Sequence, residues 1–315
     1  MSIVIPNRGD QLGSNFIVKV AAFIYGHINS YNIYYEEYEN TNALSFKYRD
    51  DMYYQPFFKY SEKKDDSIDY VNFHPDNLRI QQATPVVQLK QDLPSYFRKN
   101  FKSDFYKIIS EIAKEREYIL PWKNPSNIIC IHIRLSDNSH FDGSTFTDYD
   151  GRGSALYIRG LIEQNRLNDY SKKSMSLFMN NYCSENCIRW DANRAPDRQC
   201  AISVKELERM ILDFKKQYPE KEIHIVTMLS NTNPKHQKYI DISKKYNITI
   251  HSNKDYDYDL WLMIHADILV MSKSTFPLIA GYYHQGSKIY YSIWGVLTSC
   301  GIWTKYDKSN WIPYV

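Results

Sequence analysis

A histidine, an arginine and an aspartate stand close together in the chain: His132, Arg134 and Asp137. The guanidinium group of arginine is always charged, and its planar fork can hold two oxygen atoms of a phosphate at once. The apolar run before these residues, 128–131, is typical of a strand buried on both faces in a parallel sheet. Because ligands of such sheets bind beyond the carboxyl ends of the strands, the three residues indicate an anion site. The alternative is a buried Arg–Asp ion pair with a capping histidine.

A second polar segment, Ser272-Lys273-Ser274-Thr275, follows the apolar run 268–271 and precedes a predicted helix that begins at Phe276. Hydroxyl groups and free backbone N–H groups at the start of a helix can bind an anion, and the helix dipole strengthens this binding. Together with Arg134, they would hold a diphosphate without a metal ion. The alternative is that the Ser-Thr pair only caps the helix.

The N-terminal segment has the pattern of a dinucleotide-type unit. Residues 3–5 predict a strand, and a loop with Gly9 and Gly13 follows it. Residues 16–28 have the apolar spacing of an amphipathic helix, and residues 31–38 predict a second strand. Such a loop can bring backbone N–H groups and a helix N-terminus to an anion or a sugar.

The second half of the chain alternates predicted strands with predicted helices, which predicts a doubly wound parallel sheet. A further helical stretch is expected over residues 93–119, and the turn-rich connection after it suggests a domain boundary between residues 122 and 123. Ser230 and Asn231 follow one of the strands. The expected helices are 203–218, 234–246, 259–265 and 276–284, and the expected strands are 223–227, 248–251, 268–271 and 288–293.

Two other clusters contain side chains that can bind metals. Asp255, Asp257 and Asp259 have the spacing of the DxD site of metal-dependent glycosyltransferases, but acidic residues also favour the positive end of a helix. We expect Asp259 to cap the helix that continues to His265. Three cysteines lack a fourth zinc ligand at the usual spacing: Cys183, Cys187 and Cys200. We therefore expect no metal and no cofactor.

Composition limits the class of protein. A chain of 315 residues fits one large or two medium α/β domains. The net charge of +3 and the pI near 8.3 are too mild to indicate nucleic acid, and they fit an anionic small molecule. The start, Met1 to Pro6, lacks the apolar core of a signal peptide, and no run reaches the ~18 apolar residues of a membrane span. We expect a soluble, cytoplasmic protein without a membrane span.

Three short segments resemble motifs of the fucosyltransferase superfamily that includes the α1,2-, α1,6- and protein O-fucosyltransferases. The segment His132-Ile133-Arg134-Leu135-Ser136-Asp137 resembles its HxRxGD motif. Residues 266–276 resemble its segment with the pattern D-x-hydrophobic-S-x-S-T-F, and residues 10–16 resemble its N-terminal GRLGNQ-type loop. The three segments occur in the family's order.

The resemblance implies a GT-B-like α/β fold, with two Rossmann-like domains whose parallel sheets face a cleft. Residues 1–122 would form the acceptor-side domain and residues 123–315 the nucleotide-sugar-binding domain. It also implies direct, metal-independent transfer of fucose from GDP-fucose to a glycan acceptor, with inversion of the anomeric centre. Arg134 would hold the β-phosphate and His132 would lie near the guanosine. The other implied substrate-binding residues are Gly13, Ser14, Asn15, Ser230, Asn231, Ser272, Ser274, Thr275 and Phe276.

Several positions depart from the family pattern. Leu135 and Ser136 stand where the family has a second Arg or a Gly, and Ser14 replaces an Asn. The pair Ser230-Asn231 lacks the acidic residue that can accept from a guanine edge. These differences leave two alternatives open: a GT-B transferase that uses a different nucleotide sugar, or a nucleotide- or carbohydrate-binding protein without turnover.

The catalytic base is open at the level of sequence. Asp137 is the first candidate to accept the proton of the acceptor, with Asp142 behind it. A base can also be absent if the leaving diphosphate takes the proton. The polar stretch 138–200 is expected to shape the acceptor side, because loops on a rigid sheet carry specificity.

Overall fold

The computed structural model describes residues 1–5, 12–36, 52–71, 96–135, 202, 204–229, 234–252, 255–272, 274–292 and 311–314, with single residues between 157 and 185. Two β-sheets organise these residues, and every strand pairing in both sheets is parallel. In the part of the chain so described, no helix is long and apolar enough to cross a membrane.

The first sheet contains the N-terminal strands in the order β3-β2-β1-β4. Helix α1 (Leu12–Ile28) connects β1 to β2 as predicted, but it begins four residues before the predicted residue 16, so Gly13, Ser14 and Asn15 lie in its first turn and not in a loop. Strand β2 ends at Tyr35, earlier than the predicted residue 38. The strands are β1 (Ser2–Ile5), β2 (Asn32–Tyr35), β3 (Glu62–Lys63) and β4 (Tyr70–Val71).

The second sheet has the order β10-β9-β8-β5-β6-β7. Numbered within this sheet, the order is 6-5-4-1-2-3, which is the Rossmann order 3-2-1-4-5-6 viewed from the opposite edge. The direction of winding therefore reverses between β5 and β8, which are neighbours. The strands are β5 (Ile128–Ile133), β6 (Glu222–Thr227), β7 (Thr249–Ser252), β8 (Ile268–Met271), β9 (Lys288–Ser292) and β10 (Trp311–Tyr314).

Helices connect and cover the strands. The chain is an α/β protein with two all-parallel, Rossmann-like sheets, and the predicted GT-B-like fold class is confirmed. The remaining helices are α2 (Gln55–Lys59), α3 (Lys102–Glu115), α4 (Val204–Gln217), α5 (Pro234–Tyr246), α6 (Tyr256–His265) and α7 (Phe276–Tyr283).

Strand β5 is completely buried because its alternate side chains enter two different hydrophobic clusters. Ile129, Ile131 and Ile133 pack in one cluster with the apolar face of α4. Ile128 and Cys130 pack in the other, which also contains residues of α1, α6 and α7. Burial on both faces explains why this strand is recognisable as a short apolar run. The cluster that contains Ile128 and Cys130 has residues from both sides of residue 122. It therefore does not separate two domains there, and the proposed domain boundary stays a prediction.

Two further predicted helix boundaries are wrong. The stretch 93–119 contains helical residues 96–100 and then α3, with a break at Phe101. Helix α6 begins at Tyr256, with Asp255 as its N-cap, and not with Asp259. The carboxylate of Asp255 accepts the backbone N–H of Asp257, whereas the N–H of Asp259 already donates to the carbonyl of Asp255 within the helix.

Candidate functional site

The candidate site lies at the carboxyl ends of β5 and β8, where the winding of the second sheet reverses. Open parallel sheets bind ligands at such a point, because the connections leave the two neighbouring strands in opposite directions and open a crevice. His132 is the residue before the last of β5, and Arg134 follows this strand. Ser272 follows β8. The fold therefore brings two of the three segments selected from the sequence into direct contact.

His132 and Ser272 form the bond that joins these segments. Nδ1 of His132 lies 2.7 Å from Oγ of Ser272, and both side chains are buried. The ring of Phe276 lies 5.5 Å from the imidazole, centroid to centroid. Burial, with a smaller effect of the nearby Arg134 cation, lowers the pKa of His132 to about 3. The imidazole is therefore neutral at physiological pH.

Arg134 is positioned by the strand end in front of it. The backbone carbonyl of Ile133 accepts a hydrogen bond from the hydroxyl of Thr227 on the neighbouring β6, at 2.7 Å. Leu135, on the other side of Arg134, is buried in the cluster beneath the sheet. These two contacts fix the backbone on both sides of the arginine, which itself is only partly buried. The apolar Leu135 that departs from the family pattern thus has a packing role.

The loop after β8 leads directly into helix α7. The N–H of Ser274 donates to the carbonyl of Ser272 at 2.8 Å, and the N–H of Phe276 donates to the hydroxyl of Ser274 at 3.3 Å. Thr275 occupies the N-cap position, yet its side chain makes no capping hydrogen bond to the helix. The alternative of a simple Ser-Thr cap therefore holds for Ser274 and not for Thr275, whose hydroxyl lies at the positive end of α7.

The third segment, from the N-terminal loop, reaches the same place. A Cβ atom added at Gly13 would lie 2.4 Å from the carbonyl carbon of Thr275 and 2.6 Å from the nitrogen of Phe276. Such distances are far inside van der Waals contact, so the first turn of α1 touches the start of α7 through a position that only glycine fits. The start of α1, which connects strands of the first sheet, thus meets the start of α7, which connects strands of the second sheet. This contact lies beside His132 and Ser272.

Ser14 and Asn15, the other two residues predicted in the N-terminal loop, lie in the first turn of α1. Asn15 is completely buried in the first turns of α1. The side chain of Ser14 lies outside the described residues. Tyr54, which the sequence does not single out, donates its hydroxyl to the carbonyl of Leu12 at 2.8 Å and so supports the start of α1.

Lys19 is a second residue that sequence analysis missed. It is 1% exposed, and its ammonium lies 5.1 Å from the centre of the Tyr54 ring. Burial lowers the pKa of Lys19 to about 7, although the Glu36 carboxylate acts in the opposite direction. A lysine inside the apolar stretch of α1 is the sequence signal that could have identified it.

The acidic residues considered for a metal site are buried or bonded to other groups of the protein. Asp257 forms an ion pair with Arg116, which follows α3, and its backbone carbonyl accepts the hydroxyl of Tyr53 at 3.0 Å. The carboxylate of Asp255 accepts the hydroxyl of Tyr118 at 2.8 Å. Asp259 is also buried. Among the described residues, no three acidic, histidine or cysteine side chains are grouped as metal ligands.

Several predicted residues lie outside the described part of the chain. The candidate bases Asp137 and Asp142 belong to this group, and so do Ser230, Asn231 and the cysteines at 183, 187 and 200. Their roles stay predictions. Cys130 is a free, buried thiol on β5, and burial raises its pKa.

No protein-family model and no curated protein matches the chain. Among solved structures, the chain is similar to POFUT1, a protein O-fucosyltransferase, in complex with GDP-fucose, with a TM-score of 0.41, 12% identity, and coverage of 92% of this chain and 97% of that chain. POFUT1 in complex with GDP matches with a TM-score of 0.30 and 16% identity, over 59% of this chain and 50% of that chain. Apo POFUT1 matches with a TM-score of 0.29 and 16% identity, over 57% and 46%. These last two matches span about half of the POFUT1 chain. The strand orders of the two sheets define the fold independently of these matches.

Proposed function

We propose that the chain is a metal-independent, inverting glycosyltransferase that transfers fucose from GDP-fucose to a glycan acceptor. One observation carries the proposal: a cationic Arg134 and a neutral His132 lie beside the hydroxyl-bearing start of α7, at the point where the winding of the second sheet reverses. This arrangement offers N–H and O–H donors to a diphosphate. The three family-like segments, which include these residues, point to fucose as the sugar and guanosine as the base.

Arg134 and the start of α7 have the main chemical task in this proposal. When the bond between fucose and the β-phosphate breaks, negative charge grows on the departing diphosphate. The guanidinium group of Arg134, the hydroxyls of Ser274 and Thr275 and the dipole of α7 would stabilise this charge more strongly in the transition state than in the substrate. Phe276 lies beside the imidazole of His132 and would close one side of the donor site. The first turn of α1, with Gly13 to Asn15, would close the other.

The proton of the acceptor hydroxyl also needs a destination. His132 does not fit this role, because its pKa of about 3 makes it a poor base near neutral pH. Asp137 remains the first proposed base, with Asp142 second, and direct protonation of the leaving diphosphate is the remaining route. Ser230 and Asn231 are proposed to contact the nucleotide from the end of β6.

Two alternatives follow from the departures in sequence. A different nucleotide sugar would use the same diphosphate site with another base, since Ser230-Asn231 lacks the acidic partner for guanine. A nucleotide-binding protein without turnover would hold GDP and leave GDP-fucose intact, whereas a carbohydrate-binding protein would not bind GDP. A transferase for a different nucleotide sugar and a nucleotide-binding protein would both keep Arg134 and Thr275 in contact with phosphate.

Calorimetric titration of the whole chain with GDP, UDP and GTP, with and without EDTA, tests the proposal. We expect GDP to bind more tightly than UDP and the GDP affinity to survive EDTA. Preference for UDP together with a Mn²⁺ requirement would contradict it and would favour a metal site at Asp255 and Asp257. Incubation with GDP-fucose, followed by measurement of released GDP, then separates a transferase from a binding protein. An enzyme moves the fucosyl group to an added glycan acceptor or to water and releases GDP, whereas a binding protein leaves GDP-fucose intact.

A further inference from the structure

The hydrogen bond between His132 and Ser272 defines which imidazole nitrogen carries the proton. Both side chains are more than nine-tenths buried, at 6% and 2% exposure, and the bond is 2.7 Å long. The imidazole is neutral, so it has one N–H group and one lone pair. The serine hydroxyl has one proton to donate.

Two arrangements of these protons are possible. If Nδ1 of His132 carried the proton, it would donate to Oγ of Ser272, and the hydroxyl proton would need another acceptor. Within the described residues, Oγ of Ser272 has no hydrogen-bond partner except this imidazole. A buried hydroxyl that donates to nothing costs free energy, so the favoured arrangement has Ser272 donating to Nδ1. The proton of the imidazole is then on Nε2.

Nε2 of His132 is consequently a hydrogen-bond donor without a protein acceptor in the described part of the chain. The charge of Arg134 lies close enough to lower the pKa of this imidazole, so the Nε2–H group and the guanidinium group lie near each other. A cation and a neutral N–H donor, next to the start of α7, suit an anionic oxygen. They do not suit a proton-accepting role, because Nε2 has no free lone pair.

We propose that Ser272 is a positioning residue that holds His132 in the tautomer protonated on Nε2, so that this N–H donates to a diphosphate oxygen of the donor substrate. Ser272 acts through His132 and does not itself contact the substrate. The proposal rests on the proposed function, because the diphosphate belongs to the nucleotide sugar. The predicted substrate-binding role of Ser272 thereby becomes an indirect one, and His132 takes the contact.

The test combines nitrogen NMR of the histidine side chains with calorimetric titration of GDP. In the ligand-free protein, we expect His132 to show an unprotonated Nδ1 and a protonated Nε2 near neutral pH. Ser272→Ala removes the donor to Nδ1, so we expect a mixture of tautomers and a loss of about fivefold to tenfold in GDP affinity, the usual effect of one hydrogen bond. Ser272→Thr keeps the hydroxyl and is expected to restore the tautomer and most of the affinity.

Ser243→Ala is the matched control. Ser243 is equally buried at 2% exposure, but its hydroxyl donates to the carbonyl of Tyr239 inside α5, away from the site. This variant should leave both the His132 signals and the GDP affinity unchanged. A substitution His132→Gln, which keeps an N–H near the position of Nε2, should retain more GDP affinity than His132→Leu.

Two results would overturn the inference. A protonated Nδ1 on His132 in the wild-type protein would reverse the direction of the bond, and an unchanged tautomer and affinity in Ser272→Ala would remove Ser272 from the site. Failure of the proposed function is distinguishable. If GDP does not bind the wild-type protein but the NMR signals show the Nε2–H tautomer, then Ser272 positions His132 while the donor assignment is wrong.

Discussion

Two polar regions of the molecule each contain an arginine and the start of a helix, but their polar side chains differ in what they bind. One is the candidate site at the ends of β5 and β8. The other, here named the α3–α6 contact, joins the end of α3 to the start of α6 through Arg116, Tyr118, Asp255 and Asp257. Both contain charged side chains at a helix start or strand end, and both attract attention in the sequence.

In the α3–α6 contact, three side chains form ion pairs or hydrogen bonds with other groups of the protein. Arg116 pairs with Asp257, Tyr118 donates to Asp255, and Tyr258 donates to the carbonyl of Ile119 at 2.8 Å. At the candidate site, by contrast, the described residues leave Nε2 of His132 without a partner and the Thr275 hydroxyl without a capping bond. Satisfied polar groups stabilise a fold, whereas donors left open at a topological switch point are available to a ligand.

The sharpest test of this difference is Arg134→Ala. We expect a loss of roughly 2–4 kcal/mol of transition-state stabilisation, about 30- to 1000-fold in kcat/KM, because a charge on the leaving diphosphate loses its cationic partner. The release of GDP from GDP-fucose measures this effect, and the melting temperature should change little. Arg134→Lys should recover only part of the rate, since lysine lacks the bidentate fork. An unchanged rate would make Arg134 a structural residue.

Arg116→Ala tests the other region and should have the opposite profile. It leaves the buried Asp257 carboxylate without its cation, and breaking such a pair costs about 3 kcal/mol of unfolding free energy, at the low end for buried pairs because Arg116 is partly exposed. Urea unfolding measures the loss, while the GDP affinity of the folded protein should not change. The control is Lys245→Ala, which breaks an exposed pair with Glu208 between α4 and α5 and should change the unfolding free energy little. A lower GDP affinity in Arg116→Ala would mean that the two regions are coupled.

Local signals in the sequence predict a large part of this architecture. Strands β5, β6 and β8 are short apolar runs because they are buried on both faces, and the polar residues after β5 and β8 lie at the carboxyl ends of the strands, where parallel sheets bind ligands. The cap of α6 is harder to predict, since alternate aspartates offer equivalent side chains and only the backbone geometry selects Asp255. Tyr53 and Arg116, which meet Asp257 from distant parts of the chain, have no local signal at all.

The contact between the two sheets at the site is the feature least accessible to sequence, and Gly13→Ala tests it. The sequence indicates a glycine loop, but only the fold reveals that Gly13 lies against the backbone of Thr275 and Phe276. A methyl group there must push the start of α7 away from α1, because backbone atoms cannot yield as a flexible side chain would. We expect a cost of about 2 kcal/mol in unfolding free energy, as for other overpacked positions.

Gly13→Ala should also weaken GDP binding, because the displaced backbone carries Thr275 and lies beside His132, and this is what distinguishes it from a general loss of stability. Gly160→Ala is the control. Gly160 has a helical backbone, and its added Cβ meets no atom of the described residues within 4 Å, so alanine there should be neutral or stabilise the protein by up to about 1 kcal/mol. Urea unfolding and GDP titration of both variants measure the two effects separately. If Gly13→Ala loses stability but binds GDP normally, the N-terminal turn supports α7 without shaping the donor site. If it loses both, the two sheets build the site together.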